Sequence, residues 1–184
     1  GAAFAGHSYG ELVALHAAGR FDADQLHRLS AVRGKAMKGD GSDRGSMLAV
    51  QASFAQLEKA LAEEKLELVI ANRNAPEQNV LSGATAEISR AEKAFAARSL
   101  RAVRLPVAAA FHSALVAPAL APFAAALKKT EFAAASAPVY SNQSGEPYPA
   151  QPAKAREALG RQLGEPVEFV KLIEAMHRDG ARTF

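Results

Sequence analysis

The chain has 184 residues, of which 49% are hydrophobic and 22% charged, the balance of a folded domain rather than a disordered one. No apolar run is long enough to span a bilayer and no charged-then-apolar leader opens the chain. The 22 Lys and Arg against 19 Asp and Glu give a net charge of +3 with no basic stripe. These features argue against membrane insertion and nucleic-acid binding and lead us to expect a cytoplasmic protein; zero Cys excludes disulfides, thiolate metal sites and a cysteine nucleophile, so covalent chemistry must use Ser, Thr, Lys, His or a carboxylate.

The predicted elements begin with a small apolar run over 1–5, compatible with a buried strand. Gly6-His7-Ser8-Tyr9-Gly10 follows, and then a helical pattern that Gly19 ends. Asp22 with Gln25 forms a capping-box pair that opens a second helix to about Met37. The Gly- and Asp-rich stretch 38–45 is a loop and a lobe boundary. Next come a strand over 47–50, a helix over 53–64, strands over 66–71 and 79–82 flanking a loop at 72–77, a helix over 86–97 and a strand over 102–107. That βαββαβ order is the ferredoxin-like pattern, inserted into a larger α/β unit. An Ala-rich helix over 113–129, interrupted by Pro118 and Pro122, precedes a buried strand over 138–141. Helices over 153–163 and 167–178 follow, and 183–184 look like the start of another strand.

The pentapeptide at 6–10 fits G-x-S-x-G between a strand and a helix, the context of a nucleophile elbow. There the N–H groups and dipole of the helix start stabilise developing negative charge. The plain alternative is a chance Gly/Ser turn. A serine nucleophile needs a base, and the five candidates are His7, His16, His27, His112 and His177. The turn points His7 away from Ser8, while His16, His27 and His177 sit within or at the ends of helices. His112 follows a strand and an apolar loop and precedes a helix, where α/β enzymes present catalytic side chains. A satisfied core or capping histidine is the alternative. Leu26, Leu29, Arg33 and Met37 recur at helical spacing, which puts Arg33 on the apolar stripe of its helix. A guanidinium there must be paired, with a carboxylate as the natural match, or must snorkel to a loop acceptor.

Gly-His-Ser-Tyr-Gly-Glu, the following Ala-Leu-His-Ala-Ala-Gly and then Arg33-Gly-Lys-Ala-Met resemble the malonyl-CoA:acyl carrier protein transacylases and the acyltransferase domains of fatty acid and polyketide synthases. Further blocks agree in order: Gly45-Ser-Met-Leu-Ala-Val, Ala71-Asn-Arg-Asn-Ala-Pro-Glu-Gln-Asn-Val-Leu-Ser-Gly83, Leu105-Pro-Val with Phe111-His112-Ser, Pro138-Val-Tyr-Ser-Asn142, and Gln162-Leu-Gly-Glu-Pro-Val. Tyr9 and the Gly-Glu-Leu helix are most similar to iterative synthases that make polyunsaturated fatty acids or enediyne cores.

The resemblance implies an α/β-hydrolase-like core with a parallel sheet, over 1–44 and 108–184, and a ferredoxin-like lobe over 45–107. It implies Ser8 as nucleophile and His112 as base and acid, oriented by main-chain carbonyls near Gln162. Arg33 would clamp the malonyl carboxylate, and Tyr9 would supply an oxyanion N–H. Phe111 would favour malonyl over methylmalonyl, although Ala109-Ala-Phe-His departs from the family's His-Ala-Phe-His. No metal or redox cofactor is implied; the partners are malonyl-CoA, the phosphopantetheine of an acyl carrier protein and other megasynthase domains. The family's second oxyanion donor lies in a Gly-Gln-Gly-Ser-Gln segment before the serine, and nothing here corresponds, so the chain reads as a partial domain. Two other outcomes are a thioester hydrolase on the same fold and a non-catalytic docking unit that meets an acidic carrier through Arg98, Arg101, Arg104, Lys128 and Lys129.

Overall fold

The structure is a computed structural model, and it describes residues 3–38, 42–107 and 109–184, with only the backbone at 118 and 119. Parts of three expected segments, at 1–2, 39–41 and 108, lie outside the described residues.

The middle of the chain forms its own layer. Strands β1 (Ser46–Gln51), β2 (Val69–Ala75), β3 (Gln78–Gly83) and β4 (Arg101–Arg104) make one sheet in the order β2-β3-β1-β4, antiparallel at every pairing. Helix α3 (Phe54–Glu63) crosses from β1 to β2, and α4 (Thr85–Ala97) from β3 to β4. Ser53 starts α3 by a reciprocal cap: its Oγ accepts from the Gln56 N–H at 3.3 Å while its own N–H donates to Gln56 Oε1 at 2.9 Å. Alternation then decides what is buried. Leu48, Val50 and Leu81 present one sheet face to Leu57 and Ala60 of α3 and Ile88, Ala91 and Phe95 of α4. The opposite face, with Met47, Ala71 and Val80, packs on Leu105 and Phe111.

Helices α1 (Gly10–Ala17), α2 (Ala23–Lys38), α5 (Ala117–Lys128) and α6 (Pro152–Arg161) enclose a second core around Leu12, Leu15, Leu29, Phe123, Leu127 and Leu159. The Asp22–Gln25 cap forms as expected, at 2.8 and 3.2 Å. Helix α7 (Phe169–Arg178) covers a third cluster with Tyr140 and Leu172. No helix among the described residues is long and apolar enough to cross a membrane.

Four expectations are corrected. The loop expected at 72–77 is mostly strand, and only Pro76-Glu77 turns the chain. Asn72 and Arg73 look like loop residues in sequence, yet two register shifts let β2 pair with β3 while Asn72 also bridges Val167 in parallel. The strands expected over 1–5 and 138–141 reduce to a parallel bridge between Phe4 and Val139, closed by Phe4 N–H to Pro138 O at 2.8 Å and Tyr140 N–H to Phe4 O at 2.9 Å. The four-stranded antiparallel sheet belongs to the middle of the chain; of the parallel pairing expected between 1–44 and 108–184, the described residues show this bridge. The single helix expected over 113–129 is a 3-10 turn, Ala114–Val116, followed by α5; Pro118 falls in its first turn, where a missing N–H costs little, and the helix continues through Pro122. Residues 183–184 form no strand.

Candidate active site

Gly6 lets the chain turn where it must. A Cβ there would lie 2.2 Å from the Gly10 carbonyl carbon and oxygen, inside backbone that cannot yield. Gly10 has open space, so only the first glycine of the pentapeptide is sterically required. The turn places Ser8 at φ 50°, with Gly10 N–H bonded to His7 O and Glu11 N–H to Ser8 O as α1 begins.

Ser8 Oγ lies 3.1 Å from His112 Nε2, across 104 residues of sequence. The other ring nitrogen, Nδ1, faces two carbonyl oxygens, Glu165 at 2.9 Å and Gln162 at 3.2 Å. Two acceptors require Nδ1 to carry the proton, which leaves the Nε2 lone pair for the Ser8 hydroxyl. Burial lowers the His112 pKa to about 4, and the Arg33 charge works in the same direction against the two carbonyl bonds. The imidazole is therefore neutral at physiological pH, the form a proton acceptor needs.

Arg33 is 2% exposed and donates from Nη2 to Ser8 Oγ at 2.9 Å. Its Nε and Nη1 are buried with no acceptor among the described residues. Burial brings its pKa down to about 10, opposed by the charge of Glu11, so it stays cationic at neutral pH. The expectation of a buried arginine on the apolar stripe holds. Beside it, Tyr9 exposes 46% of its surface, donates its phenol proton to Ser30 Oγ at 2.8 Å and places its ring centroid 5.7 Å from the guanidinium carbon. The donor assignment follows from Ser30, whose one proton already goes to Leu26 O at 2.7 Å. The Tyr9 N–H has no acceptor among the described residues. Gln162 is buried and donates from Nε2 to Ser8 O at 2.9 Å, in addition to the carbonyl it offers His112.

The remaining candidates separate from this group. Phe111 packs against Met47, Ala71 and Val80, on the small-sheet side of the histidine. His7 turns to Asn74 Oδ1 at 2.7 Å, His16 bonds Phe21 O at 2.9 Å, and His27 and His177 are exposed. Of the basic residues read as a docking patch, Arg98 pairs with Glu63 and Glu64, and Arg104 with Glu92. Their charges are largely neutralised at the surface. Among the described residues no group of three or more His, Asp or Glu gathers to hold a metal ion.

Two residues escaped the reading of the sequence. Glu11 is fully buried; its Oε1 accepts from the Asn142 N–H at 2.8 Å and the Tyr148 hydroxyl at 2.9 Å, while Oε2 has no hydrogen-bond partner among the described residues. Burial raises its pKa to about 7 against those two hydrogen bonds and the Arg33 charge. Asn142, also fully buried, bonds the turn on both flanks of His7. The signal for Glu11 was available: it is the lone acid in the otherwise apolar first two turns of α1.

Known proteins are similar to this chain in sequence and fold. Malonyl CoA-acyl carrier protein transacylase of Synechocystis is 37% identical over 183 residues, 98% of this chain and 60% of that protein. A polyunsaturated fatty acid synthase polypeptide of Thraustochytrium is 34% identical over 185 residues, covering 98% of this chain and 6% of that much longer protein. The crystal structure of the acyltransferase domain of the iterative polyketide synthase in enediyne biosynthesis superposes with a TM-score of 0.85 at 32% identity, covering 94% of this chain and 46% of that one. The chain therefore spans less than two thirds of the relatives it matches. The acyl transferase domain family matches residues 1–184 throughout, and a chain with this sequence, this fold and this serine turn belongs to that family.

Proposed function

We infer that these residues move a malonyl group from malonyl-CoA to the phosphopantetheine thiol of an acyl carrier protein, supplying extender units to a polyketide or fatty acid synthase. The observation that carries this reading is Arg33: a buried cation with two unspent N–H-bearing nitrogens, bonded to the hydroxyl of Ser8. An uncompensated buried charge costs several kcal/mol, and a substrate bearing its own carboxylate relieves that cost only when bound. Malonyl is such a substrate; a plain acyl ester is not.

In this mechanism Ser8 Oγ attacks the thioester carbonyl as its proton passes to His112 Nε2. The carbonyl oxygen becomes an oxyanion beside the Tyr9 N–H. The C–S bond breaks, the coenzyme A sulfur takes the proton from Nε2, and malonyl remains as the Ser8 ester. The carrier thiol then gives its proton to His112, attacks the ester and restores the serine. The carbonyls of Gln162 and Glu165 hold the imidazole through both half-reactions, without an aspartate. Phe111 directly precedes His112 although it packs towards Met47, Ala71 and Val80, and we assign to it the disfavouring of a 2-methyl branch, a discrimination worth about 1–3 kcal/mol.

Two further divisions belong to the same reading. The β2-β3-β1-β4 sheet with its two crossover helices forms a ferredoxin-like lobe over 45–107, and 1–44 with 108–184 form part of an α/β-hydrolase-like core. The order and antiparallel pairing of the strands support the first, and the Phe4–Val139 parallel bridge supports the second. The test is to weigh the full chain after incubation with malonyl-CoA. A malonyl adduct that persists, is absent from Ser8→Ala and passes to a phosphopantetheinylated carrier protein is expected. Rapid release of free malonate with no transfer refutes it in favour of a hydrolase.

A further inference from the structure

Ser8 adopts φ 50°, a left-handed conformation that a residue with a Cβ keeps only where its surroundings over-determine it. At this turn the surroundings converge on one side chain. Asn142 Oδ1 accepts from the Ser8 N–H at 2.6 Å, and Asn142 Nδ2 donates to the Gly6 carbonyl at 2.7 Å. A single primary amide thus satisfies one backbone group on each side of His7, as a neighbouring strand would.

Asn142 is itself immobilised. It is 0% exposed, its N–H donates to Glu11 Oε1 at 2.8 Å, and its carbonyl accepts from the Glu168 N–H at 2.7 Å. Glu11 Oε1 is in turn held by the Tyr148 hydroxyl. These residues come from α1, the segment after Val139, the turn at Tyr148 and the start of α7, so the clamp is built from four separate parts of the chain. It also selects a donor. Ser8 N–H is spent on Asn142, Gly10 N–H on His7 O and Glu11 N–H on Ser8 O, which leaves the Tyr9 N–H without an acceptor among the described residues.

We propose that Asn142 is a positioning residue for the nucleophile, gripping the serine turn from both flanks and leaving the Tyr9 N–H as its open donor, with Glu11 as the anchor that holds Asn142 in place. The proposal rests on the reading of Ser8 as the acylated residue. It adds the reason that the hydroxyl sits between His112 and Arg33 although its own backbone is strained.

The test uses the full chain. Asn142→Ala is expected to slow malonylation of Ser8 by roughly 10²-fold, the effect of a small misplacement of a reacting atom, while KM for malonyl-CoA stays within about 3-fold. Rates are normalised to folded protein by near-UV circular dichroism, so a loss explained wholly by unfolding overturns the proposal. Glu11→Gln keeps an acceptor oxygen for Asn142 and Tyr148 and is expected to retain most of the rate; Glu11→Leu is expected to lose it, and equal behaviour of the two overturns the anchoring role. One measurement needs no substitution. In the parent chain the Ser8 amide should exchange with deuterium at least about tenfold more slowly than the Tyr9 amide, and equal exchange refutes the clamp. If the parent itself forms no Ser8 adduct, the reading of the nucleophile fails instead, an outcome distinct from a parent that is acylated and an Asn142 variant that is acylated equally fast.

Discussion

Replacing Arg33 tests the functional reading at its strongest point. The guanidinium is 2% exposed and, among the described residues, is bonded to a single hydroxyl and leaves Nε and Nη1 without acceptors. A malonyl carboxylate would complete it, and breaking such a buried pair by removing one partner costs about 3–5 kcal/mol. At about 1.4 kcal/mol per factor of ten, Arg33→Ala should lower kcat/KM for malonyl-CoA by roughly 10²- to 4 × 10³-fold. Acetyl-CoA carries no carboxylate, so its kcat/KM should fall far less, and the preference for malonyl should largely disappear. Arg33→Lys keeps the charge without the planar fork and should fall between the two. Arg33→Met controls for stability: it removes a desolvated cation and fills much of the same space, so Tm should not drop by more than about 4 °C, the shift from roughly 1–2 kcal/mol in a chain of this size. The assay is single-turnover acylation with each thioester, followed by intact mass. If malonyl selectivity survives Arg33→Ala within 3-fold or so, the carboxylate clamp is wrong.

Three further outcomes follow from the same geometry. Because burial holds His112 near 4, its neutral form persists as the pH falls from 8 to 5, and the acid limb of the acylation rate should appear near 4 to 5 rather than near 6.5; an acid limb centred at the ordinary histidine value contradicts the buried, Nδ1-protonated imidazole. The same shift has a stability sign. The unfolded chain binds the His112 proton first, so the His112 contribution to stability declines as pH drops from about 6.5 towards 4, while Glu11, raised to about 7, contributes in the opposite sense over the same window; His112→Gln should therefore tilt a Tm-against-pH curve towards greater stability at its acid end than in the parent chain. Gly6→Ala drives a Cβ to 2.2 Å from the Gly10 backbone and should cost at least about 1–3 kcal/mol together with most of the activity, whereas Gly10→Ala meets nothing within 4 Å and should leave both nearly intact, as thermal melts and acylation rates will show.

Much of the site was legible because its parts are local. The pentapeptide, the turn that leads into a helix and the helical spacing that put Arg33 among Leu26, Leu29 and Met37 are short-range patterns, and the structure keeps all three, although the strand expected before the turn is reduced to one bridge. The βαββαβ element order was legible for the same reason: capped helices and alternating strands follow one another, and their pairing closes within one stretch of chain. What failed were places where a distant partner overrides a local preference. Asn72 and Arg73 have turn chemistry, but Val167 offers β2 a bridging backbone, with Arg73 N–H to Val167 O and Val167 N–H to Ala71 O both at 2.8 Å. Among the described residues, the strand expected at 138–141 bridges only to Phe4 and Pro147.

The sequence by itself therefore determined the chemical types available, a serine at a glycine turn and an arginine on an apolar stripe, because both follow from spacing along the chain. Only the tertiary structure decided which histidine meets that serine, across 104 residues, and that carbonyls of Gln162 and Glu165 rather than a carboxylate orient it. It alone showed that Glu11 and Asn142, ordinary polar residues in the sequence, are fully buried behind Ser8 and bonded across 131 residues. The physical reason is the same in each case: a hydrogen bond depends on distance in space and on desolvation, and neither is encoded in the local pattern of the residues that form it.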